Sequence, residues 1–214
     1  MKRLLHMGAL GGLLAAASLA PAELLTNGDF ESMPNWGMGV LGDSGYTALT
    51  GSQIPGWTIE AGHAATVHNT NLYPTISGTY SINMDGEGYN GVNANLYQDF
   101  MVGNGDAGTL DFDWLTWANN NADKLDVTIT DLVTNSVLVH GSYTTDAGGV
   151  HHESFNFVGT GNALRLRVKE DPESHFNDNS FMVDNFSVNA VPEPASVLAL
   201  AGGALVLLRR RKRA

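Results

Sequence analysis

The sequence predicts an all-β fold, an antiparallel sandwich or jelly roll, and three observations carry that expectation. Leu125, Val127 and Ile129 alternate with Asp126, Thr128 and Thr130, and Leu164, Leu166 and Val168 alternate with Arg165, Arg167 and Lys169. Period two sends successive side chains to opposite faces, so each run reads as a half-buried strand. Clusters of Gly, Asn, Asp and Pro punctuate such runs at short intervals. No segment between residues 23 and 190 shows the spacing of an amphipathic helix, and many short strands bury their apolar faces by packing sheet on sheet.

In chain order, residues 1–22 read as a signal peptide with a helical apolar core. Lys2 and Arg3 supply the positive start, residues 4–19 are mostly Leu, Ala, Gly and Met, and Ala20-Pro21-Ala22 offers small residues to a signal peptidase. A cut after Ala20 would place Pro21 just past the scissile bond, so the mature chain is expected to start at Glu23. One domain is expected over 23–190, long enough for a core of its own. Residues 35–53 are Gly-rich and expected as a surface loop. Strands are expected at 57–60, 80–85, 94–102, 109–117, 125–130, 137–143, 153–158, 164–169 and 181–188, with Thr134-Asn135-Ser136 turning between two of them. Residues 191–214 divide into the box Val191-Pro192-Glu193-Pro194, an apolar run at 195–208, and five consecutive cations at 209–213. At ~1.5 Å per residue the uncharged run spans only ~21 Å of a ~30 Å hydrocarbon core. It is therefore expected as a short transmembrane helix suited to a temporary anchor, its basic end held in the cytoplasm.

Charge separates the middle from the ends. The chain carries 22 acidic and 11 basic side chains; residues 23–190 hold all the acids but Glu193 and only four bases, Lys124, Arg165, Arg167 and Lys169, for a net charge of −17. Such a domain repels nucleic acid and anionic membrane surfaces and attracts divalent cations. Cysteine is absent, which excludes disulfides, thiolate catalysis and Cys-ligated metal.

The tripartite tail resembles the PEP-CTERM sorting signal of Gram-negative bacteria. That resemblance implies an exosortase as partner, cleavage near Pro192-Glu193-Pro194, and release or attachment of the upstream domain at the cell surface or in the extracellular matrix. Three blocks inside the domain carry a second resemblance: 24–31 (Leu-Leu-Thr-Asn-Gly-Asp-Phe-Glu), 54–59 (Ile-Pro-Gly-Trp-Thr-Ile) and 182–188 (Met-Val-Asp-Asn-Phe-Ser-Val). They resemble the DUF642 and choice-of-anchor C proteins and, beyond them, carbohydrate-binding modules with a galactose-binding-like jelly roll. This implies extracellular polysaccharide as a partner. It also implies a structural Ca2+ held by a glutamate of the first strand and an aspartate of the last, for which Glu31 and Asp184 occupy the matching positions. Met182, Asp184, Phe186 and Val188 share one parity, so an unbroken strand would point the Asp184 carboxylate into the core. Either a bulge turns it out or a cation meets it; ordinary strand-end acids with backbone hydrogen bonds are the alternative to calcium.

Sugar platforms need exposed aromatic faces beside amides and carboxylates. Trp36, Tyr46, Tyr73, Tyr89 and Trp117 lie in polar stretches, and Trp117 beside Asn119 and Asn120 is the most ligand-like group, whereas Trp57 and Trp114 are expected in the core. Arg165, Arg167 and Lys169 share one strand face; they either grip an anionic polysaccharide or, as the acid surplus favours, pair with neighbouring carboxylates. His151 and His152 are adjacent and on a strand point to opposite faces, so they do not chelate one metal. No Gly-x-Ser-x-Gly, no His-Glu-x-x-His and no phosphate-cradling loop is present. The expectation is an exported, non-enzymatic protein associated with polysaccharide; the alternatives are a secreted polysaccharide-active enzyme and an adhesive or ice-binding protein, the last opposed by the lack of a regular Thr-x-Thr array.

Overall fold

A computed structural model describes residues 22–34, 46–69, 75–84, 93–116, 124–144, 148–170 and 181–191. Residues 1–21 and 192–214, where the two terminal helices are expected, lie outside this set. The described residues form twelve strands: β1 (Ala22–Glu23), β2 (Tyr46–Leu49), β3 (Thr58–Ile59), β4 (Ala65–Asn69), β5 (Tyr80–Asn83), β6 (Asn95–Met101), β7 (Ala107–Thr116), β8 (Lys124–Asp131), β9 (Val137–Thr144), β10 (His151–Val158), β11 (Ala163–Glu170) and β12 (Phe181–Val191). One sheet runs β10-β7-β12-β5-β4-β2, with β1 also paired to β12; the other runs β3-β6-β11-β8-β9. Every pairing is antiparallel.

The alternation read from the sequence builds both inner faces. Leu125, Val127 and Ile129 of β8 and Leu164, Leu166 and Val168 of β11 are buried, as are Leu110, Phe112 and Trp114 of β7 opposite them in the core. Their polar neighbours face out. Asn135 takes a left-handed conformation (φ 57°) in the turn between β8 and β9, which asparagine tolerates better than most residues.

Besides the two-residue β1, two strands were not visible in the pattern. The expected loop at 35–53 contains β2, and β4 lies in a stretch with no strand assigned. Both are four or five residues long and sit at one side of the larger sheet, β2 on its edge. Four residues are too few to establish a period. Burial of Leu49, Ala65 and Val67 shows what tertiary packing added.

The connections 102–106 and 159–162 cross between the sheets at one end of the sandwich. There Ala107 pairs with both Val158 and Val191, Met101 pairs with Ala163, and Leu164 pairs with Asp131 at the start of the β8–β9 turn. Ala22 pairs with Ala190 at the same end. The first and last strands thus meet at one pole, called here the terminal pole.

Candidate functional site

The three sequence blocks that carry the family resemblance come together as one buried knot. Trp57 packs its ring 5.4 Å from Phe30 and 5.5 Å from Phe186, and Phe186 stacks on Phe112 at 5.1 Å. Backbone polar groups are satisfied within the same knot: the Trp57 indole donates to the Asn27 carbonyl (3.0 Å), Asn27 Nδ2 donates to the Pro55 carbonyl (3.1 Å), and Phe186 N–H donates to the Gly28 carbonyl (2.9 Å). A Cβ on Gly28 would stand 1.8 Å from the Phe186 carbonyl oxygen, so only glycine allows the opening block to lie against the closing strand.

Asp184 sits beside this knot, and a bulge decides its direction. The register of β12 on β7 shifts between Asp184 and Ser187, and Asn185 adopts φ 54°. Phe186 and Val188 then face the core, while Asp184 shares the outer side of the sheet with Asp113. It is nevertheless fully buried. Its Oδ2 accepts from Ser81 Oγ (2.8 Å), Ser77 N–H (3.2 Å) and Ser77 Oγ (3.3 Å), and its Oδ1 accepts from Asn185 N–H (2.7 Å). Burial pushes its pKa up to about 6 against the pull of these donors.

Glu31 does not lie in a strand, contrary to the expectation of a first-strand glutamate. It is exposed after the tight turns that hold Asn27 and Phe30 at φ 54° and 53°. Its Oε1 accepts from Thr79 N–H (2.7 Å) and Tyr80 N–H (3.0 Å), closing over Gly78 (φ 53°), where a Cβ would meet it at 2.2 Å. Glu31 and Asp184 therefore converge on the same segment, 77–81. With the hydroxyls of Ser77 and Ser81 they carry six side-chain oxygens, the lower end of what calcium takes, but Glu31 Oε1 and both Asp184 oxygens already accept from N–H and O–H groups of the chain. Among the described residues no three His, Asp or Glu side chains gather to hold a metal ion.

The larger sheet carries more buried polar groups beside Asp184: Thr66, His68, Ser81 and Asn83 are all buried. His68 lies 3.3 Å from Asn83, and desolvation lowers its pKa to about 4. Farther along, His152 and Asp113 form an outward pair at 2.7 Å, in which the bond to Asp113 raises the imidazole pKa, and Asn185 Nδ2 donates to the second Asp113 oxygen (2.7 Å). His151 points the other way and stacks on Trp114 at 4.1 Å, as adjacency on a strand requires.

The outer face of the smaller sheet is partly exposed among the described residues, and it collects every lysine and arginine of the domain. Lys124, Arg165, Arg167 and Lys169 share it with Tyr97, Asp99, Asp126, Thr128 and Thr130, which alternate with buried neighbours on β6 and β8. Strand register sets Thr58, Tyr97, Arg167, Thr128 and His140 in one row across five strands. Arg165 pairs with Asp99 through two bonds (2.7 and 2.8 Å) and lays its guanidinium 3.7 Å over the Tyr97 ring; Arg167 reaches Glu60 at 3.1 Å. Pairing with neighbouring acids is thus how these arginines are used. Beside them a groove of about 410 Å³ is lined by Thr50, Thr58, Glu60, His63, Tyr97 and Arg165 among others. Its His63 is fixed by the Asn93 carbonyl at 2.8 Å.

Sequence reasoning missed this groove. Tyr97, Glu60 and Asp99 were ordinary strand residues until the register placed them around Arg165. Trp36, Trp117, Asn119, Asn120, Ala20, Pro192, Glu193 and Pro194 lie outside the described residues, and of Tyr46 only its place in β2 is described. Trp57 and Trp114 are buried, as expected. The bond between Ala22 and Glu23 lies within β1, whose ladder to β12 is reinforced by Glu23 accepting from Leu25 and Val188 N–H.

No curated protein matches the chain. Among solved structures it is similar to an arabinose-bound GH51 α-L-arabinofuranosidase (12% identity, TM-score 0.48, 79% of this chain), of which it spans only 26%. It is also similar to the CBM22-1 xylan-binding domain of Paenibacillus barcinonensis Xyn10C (13%, TM-score 0.43, 69% of this chain and 94% of that one). A CBM61 module in complex with β-1,4-galactotriose gives 11%, a TM-score of 0.42, and 73% and 95% coverage. Residues 190–213 match the PEP-CTERM protein-sorting motif, the mark of an exported protein that passes the membrane. Residues 23–189 match the family model described as protein of unknown function (DUF642), and the chain belongs to that family.

Proposed function

We propose that the mature domain is a non-enzymatic cell-surface or matrix protein, delivered by exosortase-type processing, that associates with extracellular polysaccharide through the open face of the smaller sheet. The groove beside Tyr97 carries this reading. It offers an aromatic ring held in place by a guanidinium, with carboxylate acceptors and guanidinium donors alternating around it. Sugars are held by such a combination of a flat apolar surface and a few placed polar groups. Because Arg165 and Arg167 already engage Asp99 and Glu60, the face presents donors and acceptors in balance. That suits the hydroxyls of a neutral glycan better than a polyanion, which the charge of −17 also repels.

A glycan array with the exported form identifies the ligand, and Tyr97→Ala is expected to weaken retention roughly tenfold, the equivalent of ~1.4 kcal/mol. Retention unchanged by Tyr97→Ala rejects the groove. A reducing-sugar release assay addresses the rival, a secreted polysaccharide-active enzyme: turnover above the protein-free control would overturn the non-enzymatic reading. A second reading, structural calcium, is favoured by the convergence of Glu31 and Asp184 on 77–81 and opposed by the donors that already fill them. If calcium binds there, a chelator lowers the melting temperature and Asp184→Ala abolishes that sensitivity; a melting curve indifferent to chelator rejects it.

A further inference from the structure

Seven large hydrophobic side chains are exposed among the described residues. Six of them, Met101, Leu132, Val133, Val137, Val158 and Val191, lie at the terminal pole; only Val150 lies at the opposite end. Val158 and Val191 flank Ala107 in one ladder row, and Met101 and Leu132 both approach Ala163. Exposure reaches 69% at Val133, 63% at Met101 and 61% at Val158, so these are not rims of the core. A single exposed valine needs no explanation, but six gathered at one end do.

Charge is withdrawn from the same pole. No lysine or arginine lies in 101–107, 131–137 or 158–163. Asp131 turns inward, fully buried, and accepts from Val133 N–H (2.8 Å), Thr134 N–H (2.9 Å) and Asn162 Nδ2 (2.9 Å), which leaves Leu132 and Val133 projecting from the turn. These donors hold its carboxyl well below the usual carboxylate range. Asp106 is the other acid in these segments, and Glu23 of β1, next to the Ala22–Ala190 pair, adds one exposed carboxylate.

Chain length says what lies opposite. The apolar run at 195–208 begins four residues after Val191, and four extended residues reach at most about 14 Å. Ala22, paired with Ala190, likewise follows directly on the apolar signal segment. A pole from which both membrane-directed segments depart, with six exposed apolar side chains, no lysine or arginine and few acids, is suited to the bilayer interface. We propose that the terminal pole docks on the lipid headgroup surface while the sorting tail is attached, holding the box at 191–194 at the membrane and turning the opposite end of the sandwich outward. This inference rests on the membrane reading of the tail.

The chain has no cysteine, so single labels are clean. Full-length protein carrying a fluorophore at Val133→Cys or, as control, Thr144→Cys is reconstituted into phosphatidylcholine vesicles containing headgroup-nitroxide lipid. Val137 and Thr144 bound β9, and its seven residue steps put the control about 23 Å farther from the pole. Quenching at 133 is expected to exceed that at 144 at least about threefold, to persist in high salt, and to fall by roughly half or more when Met101→Asp and Val158→Asp are added. Both added substitutions are at exposed positions, so an unchanged melting curve shows that the fold is kept. Flotation with the vesicles but equal quenching at the two sites overturns the docking alone. Quenching at 133 untouched by the aspartates means that the tether brings the pole near without docking, and also overturns it. Cross-linking of two copies through position 133 in place of lipid quenching assigns the pole to a second copy. Failure to float with vesicles overturns the membrane reading of the tail and the docking with it.

Discussion

The knot around Trp57 and the open face around Tyr97 are built from the same kinds of residue, an aromatic ring with polar partners, yet they do opposite work. In the knot every partner is another part of the chain: Trp57 gives its indole N–H to Asn27, and Phe186 gives its amide to Gly28. On the open face the ring and its guanidinium remain accessible along a groove. The residues that identify the family are therefore those that hold the sandwich shut. The residues proposed to meet a ligand leave no motif, because a ligand site needs complementary geometry rather than one unavoidable side chain.

The comparison breaks most sharply at the knot. Trp57→Ala is expected to cost about 3–5 kcal/mol by denaturant unfolding, and Gly28→Val at least as much, since its Cβ has only backbone to displace. A loss below ~1 kcal/mol for either would mean that the three blocks do not lock the fold.

An intermediate effect concerns the buried polar groups of the larger sheet, where two titrations oppose each other. His68, lowered to about 4, favours the folded state above the unfolded value of 6.5, and this contribution is lost as pH falls from 6.5 through 4. Asp184, raised to about 6, contributes in the other direction: its stabilisation is complete below 3.8 and is lost as pH rises through 6. Each is expected to amount to roughly 1–3 kcal/mol. Asp184→Asn should therefore leave a domain that weakens steadily on acidification below 6.5, and His68→Gln one that weakens as pH rises from 4 to 6. Melting curves across pH 3.5–8 that are parallel for all three proteins would show that neither group titrates as its burial implies.

The smallest effect on stability belongs to the open face. Arg165→Ala removes the Asp99 pair and the Tyr97 contact, both partly solvated, and should cost no more than about 1 kcal/mol by denaturant unfolding. If it instead unfolds the domain, the face is structural and the contrast with the knot disappears.

Much of the sandwich was legible because burial on one face forces period two, and the long strands β7, β8 and β11 obey it, as does β12 beyond its bulge. β2 and β4 were not legible: Leu49 and Val67 are buried by partners distant in sequence, and no local pattern of four or five residues announces that. Asp184 shows the limit most clearly. Parity gave two alternatives, a bulge or a cation, and the shift at Asn185 supplied the bulge. The groove was hidden for a related reason, since Glu60, Tyr97 and Arg165 are far apart in the chain and only register makes them neighbours.

By itself the sequence determined the all-β class, the sorting motif and the −17 charge, and its surplus of acids favoured pairing of the arginines without naming their partners. These follow from composition and from periodicities that each strand enforces locally. The tertiary structure alone decided the direction of Asp184, the groove beside Tyr97 and the meeting of the first and last strands at one apolar pole. Each depends on which strands pair and in what register, a choice made by the free energy of the whole core rather than by any segment of it.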